Sequence, residues 1–221
     1  LPLFALLSLN KGIKRINKLS KQINLEQPWL SPNAAEWDAM NTEQWMQQTM
    51  KNETARSMFR LVYEAIFASH PHHVSLLHSL FYTKSGKDFE VLMNIRHGAQ
   101  QDRMLGGAQG ICSKMAEELT NELHLNKAVV SISQSSEGVE VRGEGFSYSA
   151  KKMVIAVPPA VAGKISYEQA LPDKRTQLMQ QQFMGTVVKC YAIYKKPFWR
   201  EKKLNGLCAM PDQYVSVTFD N

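Results

Sequence analysis

The sequence predicts an α+β fold, with a helical N-terminal part packed on a mixed, largely antiparallel sheet. Two observations carry that expectation. Apolar residues recur at helical spacing through the first 85 positions, and from residue 88 the pattern changes to short apolar runs broken by turn residues. Helices followed by mixed strands and helices, without an internal repeat, is the order of an α+β chain rather than of alternating βαβ units.

In "FALLSLNKGIKRINKLSKQI", Leu6, Leu9, Ile13, Ile16 and Ile23 recur at steps of three, four and seven, which makes one stripe on a helix. Pro28 and Pro32 punctuate a loop, and Asn41 or Thr42 caps the helix "TEQWMQQTM". A third helix spans about 53–68 with Met58, Leu61, Val62, Ala65 and Ile66 on its apolar side. Pro71 opens a fourth, with Val74, Leu77, Leu80 and Phe81 facing inward.

The second half opens with "DFEVLMNIR", which reads as a strand, and "HGAQQD" turns it. "RMLGGAQGICSKMAEEL" runs from a short strand through a glycine pair into an amphipathic helix. "KAVVSISQ", the turn "SSEG", "VEVRG" and "FSYSAKKMVIAVPP" form a meander. "LPDKRTQLMQQ" returns to helical spacing, and strands resume from about 184.

Composition sets the class. Of 221 residues, 44% are hydrophobic and 21% charged, as in ordinary globular proteins. No apolar run approaches the roughly 18 residues of a membrane span. The opening "LPLFALLSLN" lacks a basic flank and a cleavage site, so it does not read as a signal peptide. A start at Leu and a stop at "SVTFDN" suggest a piece of a longer protein. The net charge of +6 includes a basic stretch, "KGIKRINKLSK", which lacks interleaved aromatics; no nucleic-acid partner is expected, and no membrane partner. Cys112, Cys190 and Cys208 show no CxxC spacing, which fits reduced thiols and a cytoplasmic location. "HPHH" at 70–73 lacks further ligands and reads as a helix start, so no metal is expected.

Two motifs bear on chemistry. "LGGAQG" sits between a strand and a helix, but it is not G-x-G-x-x-G, and no P-loop pattern occurs; the glycines serve close packing or a sharp turn. In "MGTVVKCYAIYKKPFW", Val187, Lys189, Tyr191 and Ile193 share one face of a predicted strand, and Val188, Cys190 and Ala192 the other. Both faces are apolar, as in a doubly buried strand, where an ammonium is costly unless paired. The residues alone leave two readings of Lys189 open, a functional amine or an edge side chain reaching water.

"MGTVVKCYAIYKKPFW" closely resembles the lysine-bearing strand of the flavin-containing monoamine oxidases and related FAD-dependent amine oxidases. Three other stretches agree in order: "WLSPNAAEWDAMNTEQWM", "HGAQQDRMLGGAQGICSKMAEEL" and "KKMVIAVPP". Together they span about 27–200. The resemblance implies the amine-oxidase substrate-binding domain with part of the FAD-binding domain. Residues 1–100 would form the helical part and first strand of the substrate domain, 101–163 the portion resembling the FAD-binding domain, and 164–221 a strand-rich return to the substrate domain.

It also implies roles. Lys189 matches the lysine that holds a water against the flavin. Gln100 matches the glutamine beside the substrate amine, suited to orientation because its amide both donates and accepts. Ile66, Tyr82, Leu92 and Met93 match positions that wall the substrate cavity. Val129 matches a contact to the adenine end of FAD, and Ala156 a position near the flavin ring. Arg96 and Arg103 flank the glutamine turn, where either would suit a substrate carboxylate or a solvated strand end.

The implied cofactor is FAD, the partners an amine or amino acid and O2, with homo-oligomer formation left open. The family's G-x-G-x-x-G unit and its closing flavin-binding segment do not lie within these residues, so the chain by itself is expected to be inactive. The alternatives are a related flavin oxidase or desaturase, or a non-catalytic interaction module in which the basic first helix serves a partner or an anionic surface.

Overall fold

The computed structural model describes residues 1–119, 123–211 and 213–220. The chain divides into two compact units, Leu1–Arg103 with Thr186–Asn221, and Met104–Gly185.

The first unit is built on six helices: α1 (Leu3–Ser20), α2 (Ala34–Ala39), α3 (Thr42–Thr49), α4 (Glu53–Phe67), α5 (Leu76–Ser85) and α6 (Phe89–Met93). Four of them start at a side-chain cap. Asn41 forms a reciprocal capping box with Gln44, and Asn52, Ser75 and Asp88 accept from the third backbone N–H of α4, α5 and α6. Each such cap satisfies an N–H that the helix cannot, worth about 1 kcal/mol. Pro71 opens a 3₁₀ turn, Pro71–His73, in which the His70 ring accepts from the His72 N–H; α5 begins only after it.

The apolar faces of these helices meet in one core. Ile16 of α1, Trp37 of α2, Trp45 and Met46 of α3, Phe59 of α4, Leu80 of α5 and Phe89 of α6 are all buried in it. On α1 the buried positions are Ala5, Gly12, Ile16, Leu19 and Ser20; of the expected stripe, Ile16 and Ile23 are buried in the core and Leu9 and Ile13 pack against it, while Leu6 at its start is half exposed. Within this core lies a closed hydroxyl network. Ser79 Oγ lies 2.7 Å from Thr42 Oγ1 and 2.7 Å from Tyr63 OH, and it lies 3.1 Å from the Ser75 carbonyl. It ties α3, α4 and α5 together through polar groups that would each be costly if left alone.

"DFEVLMNIR" is not the expected strand. Asp88 caps Val91 N at 2.7 Å and Phe89 stacks on Phe59 with ring centroids 4.8 Å apart. A helix cap and an aromatic anchor override a weak alternation.

The second unit carries α7 (Gln109–Glu118), β1 (Val129–Gln134), β2 (Val139–Gly143), β3 (Phe146–Ala150), α8 (Pro159–Ala162), β4 (Ser166–Tyr167) and α9 (Asp173–Gln181). The sheet order is β3-β2-β1-β4, antiparallel except where β1 runs parallel to β4. That is the mixed, largely antiparallel sheet of an α+β chain. Gly106 and Gly107, with φ of 79° and 84°, make the sharp turn before α7, and no short strand precedes it.

The meander stops at Ala150, so "KKMVIAVPP" is not strand. The segment 182–194, which holds Lys189, is likewise neither strand nor helix and is exposed throughout. Val188 is 85% exposed and Ile193 96%. A strand exists only where its N–H and C=O groups pair with a neighbouring strand, and neither segment belongs to a sheet among the described residues. After α10 (Phe198–Glu201), β5 (Cys208–Ala209) and β6 (Val217–Thr218) form a small antiparallel pair.

Burial pushes the Tyr63 hydroxyl up to about 12, against the opposing hydrogen bonds from Ser79 and Thr42. The unfolded chain ionises near 10 and the folded one later, so the folded state holds more protons in between. Stability should therefore be intact below about pH 10 and fall between about 10 and 12, by on the order of 2 kcal/mol. Urea titrations across that window should show the loss in the native chain and a shallower one in Tyr63→Phe. Identical slopes would contradict it.

Candidate functional site

The end of α6 and the turn after it form a compact structure. Ala99 N donates to the Val91 carbonyl at 2.8 Å and Gln100 N to the Asn94 carbonyl at 3.3 Å. His97, in the left-handed region with φ of 57°, donates its N–H to the Gln101 side chain at 2.6 Å. Gly98 is required by space, since a Cβ there would come 2.1 Å from the Asn94 carbonyl oxygen. The turn thus folds Gln100 back on the helix that carries Leu92 and Met93.

Leu92 is 7% exposed and its side chain rests against Gly86 at the end of α5. Met93 and Gln100 are exposed. Ile66 is half-buried on α4 against the core. One residue on, Phe67 stacks on Tyr63 at 4.1 Å and meets the partly exposed Tyr82 of α5 at 5.0 Å. The structure therefore carries Ile66, Tyr82, Leu92 and Met93 on three helices that share one core, with Gln100 in the turn after α6. Arg96 and Arg103 are exposed, and neither pairs with a carboxylate among the described residues.

Two residues that the sequence did not single out hold this arrangement. Asn17, in the last turn of α1, accepts from Phe89 N at 2.9 Å and donates to Glu90 Oε2 at 2.5 Å, which pins the start of α6. Lys84 Nζ donates to the carbonyls of Lys21 at 3.2 Å and Ile23 at 2.5 Å, where α1 ends. A cation on terminal carbonyls is favourable. The one sequence signal was Asn17 itself, a poor helix former within the last turn of a long helix.

Lys189 is exposed in the non-strand segment; the sequence pattern that suggested a doubly buried strand is present, but its cover is not among the described residues. Val129 opens β1 opposite Gly143 and is partly exposed, and Ala156 is exposed in the segment after β3. Val154, at 88%, is exposed beside Ala156. The family's cofactor fits these residues only in part. Uncovered apolar side chains suit the flanks of a ring system, whereas no glycine cradle for a diphosphate occurs in the sequence. Among the described residues, no group of three His, Cys, Asp or Glu side chains is placed to hold a metal ion, and no helix is long and apolar enough to cross a membrane.

A sequence profile of the flavin containing amine oxidoreductases matches residues 2–220. The chain belongs to that family. Its cofactor is FAD. The chain is similar to a probable flavin-containing monoamine oxidase A of Dictyostelium discoideum, 33% identical over 96% of this chain and 47% of the relative. It is also similar to a flavin-containing amine oxidase of Danio rerio, 34% identical over 99% and 42%.

Among solved structures, wild-type putrescine oxidase bound to putrescine matches with a TM-score of 0.89 at 28% identity, over 100% of this chain and 49% of that one. Cyclohexylamine oxidase from Brevibacterium oxydans matches with a TM-score of 0.73 at 29% identity, over 81% and 40%. The chain spans about half the length of the curated relatives it matches.

Asn17→Ala removes both bonds to α6. We expect a loss of about 1–2 kcal/mol and faster hydrogen exchange at Leu92 and Asn94, whose N–H groups bond inside α6. Unchanged exchange at these amides would show that Asn17 does not position the helix.

Proposed function

We propose that this chain is the substrate-side portion of an FAD-dependent amine oxidase that deaminates an amine or L-amino acid. The observation that carries the proposal is the match of the whole chain to half of an amine-binding oxidase, putrescine oxidase. In the reaction an amine loses two electrons and two protons to become an imine. Water converts the imine to a carbonyl compound and ammonia, and O2 accepts the electrons to give H2O2. FAD, when bound, supplies the two-electron carrier.

The chain's own residues bind and orient. Ile66, Tyr82, Leu92 and Met93 form an apolar wall that excludes water around the amine-bearing carbon. Gln100 holds the amine through a side-chain amide that accepts its N–H and donates in turn. Lys189 holds a water where oxygen is reduced. Val129 and Ala156 lie on the flavin side, within the portion 101–163, while 1–100 and 164–221 form the substrate side. The three exposed cysteines suit a reducing compartment such as the cytoplasm. Relatives named as amine oxidases favour this reading over a desaturase.

Two measurements test it. The 221-residue chain, mixed with FAD and desalted, should retain no flavin absorbance, because the diphosphate cradle is not in its sequence; retained flavin would contradict that. In the longer parent enzyme, Lys189→Met should slow reoxidation by O2 by roughly 10²-fold while leaving anaerobic reduction by the amine nearly intact. Equal loss in both half-reactions would remove Lys189 from the oxygen step.

A further inference from the structure

The first unit carries a groove of about 740 Å³ between α1 and the α2–α3 pair. It lies outside the amine-oxidation reading, since none of the residues assigned to substrate or flavin lines it. One wall is a straight stripe of α1: Leu7, Lys11, Lys14 and Lys18, spaced at four, three and four residues, with Arg15 beside it. The floor is apolar, made in part by Trp37 and Trp45, which are 5% and 4% exposed. The opposite wall contributes Gln48, Thr49 and a single acid, Glu36.

The four cations are exposed, and none has an ion-pair partner among the described residues. Four positive charges against one negative is the basic stretch seen in the sequence, now placed along a single concave surface. At its N-terminal end the stripe turns apolar. Leu7 is 57% exposed, and Leu3, one turn earlier on the same face, is 69% exposed. The wall from Leu7 to Lys18 is about 16 Å long at 1.5 Å per residue. An extended peptide covers that in about five residues.

We infer that this groove docks a short acidic peptide segment of a partner protein, extended along α1, with an apolar side chain at the Leu7 end. Charge complementarity selects the occupant. A second copy of this chain is disfavoured by its own net charge of +6. A bilayer surface is flat, and the Glu36–Gln48 wall stands between it and the groove floor. A nucleic acid would need exposed aromatic rings to stack on, and the groove's tryptophans are buried.

The test is fluorescence anisotropy of a fluorescein-labelled peptide, a phenylalanine followed by a run of glutamates, titrated with the 221-residue chain at low and high salt. A glutamine-for-glutamate peptide is the charge-free reference. Lys14→Glu/Lys18→Glu reverses two exposed groove charges, and Lys151→Glu/Lys152→Glu reverses two exposed charges in the other unit. We expect saturable, salt-sensitive binding that weakens roughly tenfold in the groove variant, stays unchanged in the control and is lost with the glutamine peptide. Absence of binding overturns the inference. So does equal weakening in both variants, which would mean that only net charge is felt. Sedimentation of the chain with phosphatidylserine vesicles, undiminished by the peptide and dependent on Lys14 and Lys18, would overturn it in favour of a membrane surface.

Discussion

Helix α1 is held near its end by polar bonds to α6 and α5, and the geometry of the helical unit depends on both. Asn17 bonds α6 from the last turn of α1, and Lys84 of α5 bonds the carbonyls just beyond it. Beside these bonds, Ile16 and Leu19 fill the core shared with α3, α4, α5 and α6. Rotating α1 would break the Asn17 bonds and expose Ile16 together, so packing and hydrogen bonding fix the same orientation. That orientation has two consequences. It sets where Leu92, Met93 and the Gln100 turn lie, and it turns Lys11, Lys14 and Lys18 toward the groove.

The two halves of the chain differ in how far they satisfy themselves. The helical part closes its own core, down to a hydroxyl network with every member bonded. The sheet unit buries little: among its described residues Ile132, Ala162 and Met179 are the buried hydrophobics. Residues 182–194 carry Val, Tyr and Ile on both faces and expose them all. Surfaces of that kind are rarely left in water, and in the proposed parent they would meet flavin and substrate. On the proposed reading, Lys189, exposed in this chain, would be covered together with the apolar residues around it.

The helices and the meander were legible because their signals are local. Asn41 lies where a cap is needed, the stripe on α4 runs over its whole length, and the "SSEG" turn closes through Ser135 N and the Gly138 carbonyl at 2.8 Å. The α6 helix was misread because five residues are too few for a period, and the decisive contacts, Phe59 on Phe89 and Asn17 on its backbone, come from distant positions. The lysine strand was misread for another reason: its pattern records two covering layers and a neighbouring strand, which local sequence cannot supply. Asn17 and Lys84 could not be assigned in advance, since each acts on backbone more than 60 residues away. Of the candidate site, the family resemblance supplied the residue set, and the structure adds that Ile66, Tyr82, Leu92 and Met93 stand on helices of one core, with Gln100 in the turn beyond α6.

The most direct test of this account is hydrogen exchange, compared between the 221-residue chain and the longer flavin-loaded parent. Amides of the helical core, such as Phe59 and Leu80, should be protected to a similar degree in both, while residues 182–194 exchange freely in the chain and become protected in the parent. Protection of 182–194 in the chain alone, or free exchange there in the loaded parent, would contradict the assignment of that segment to a buried flavin-side strand.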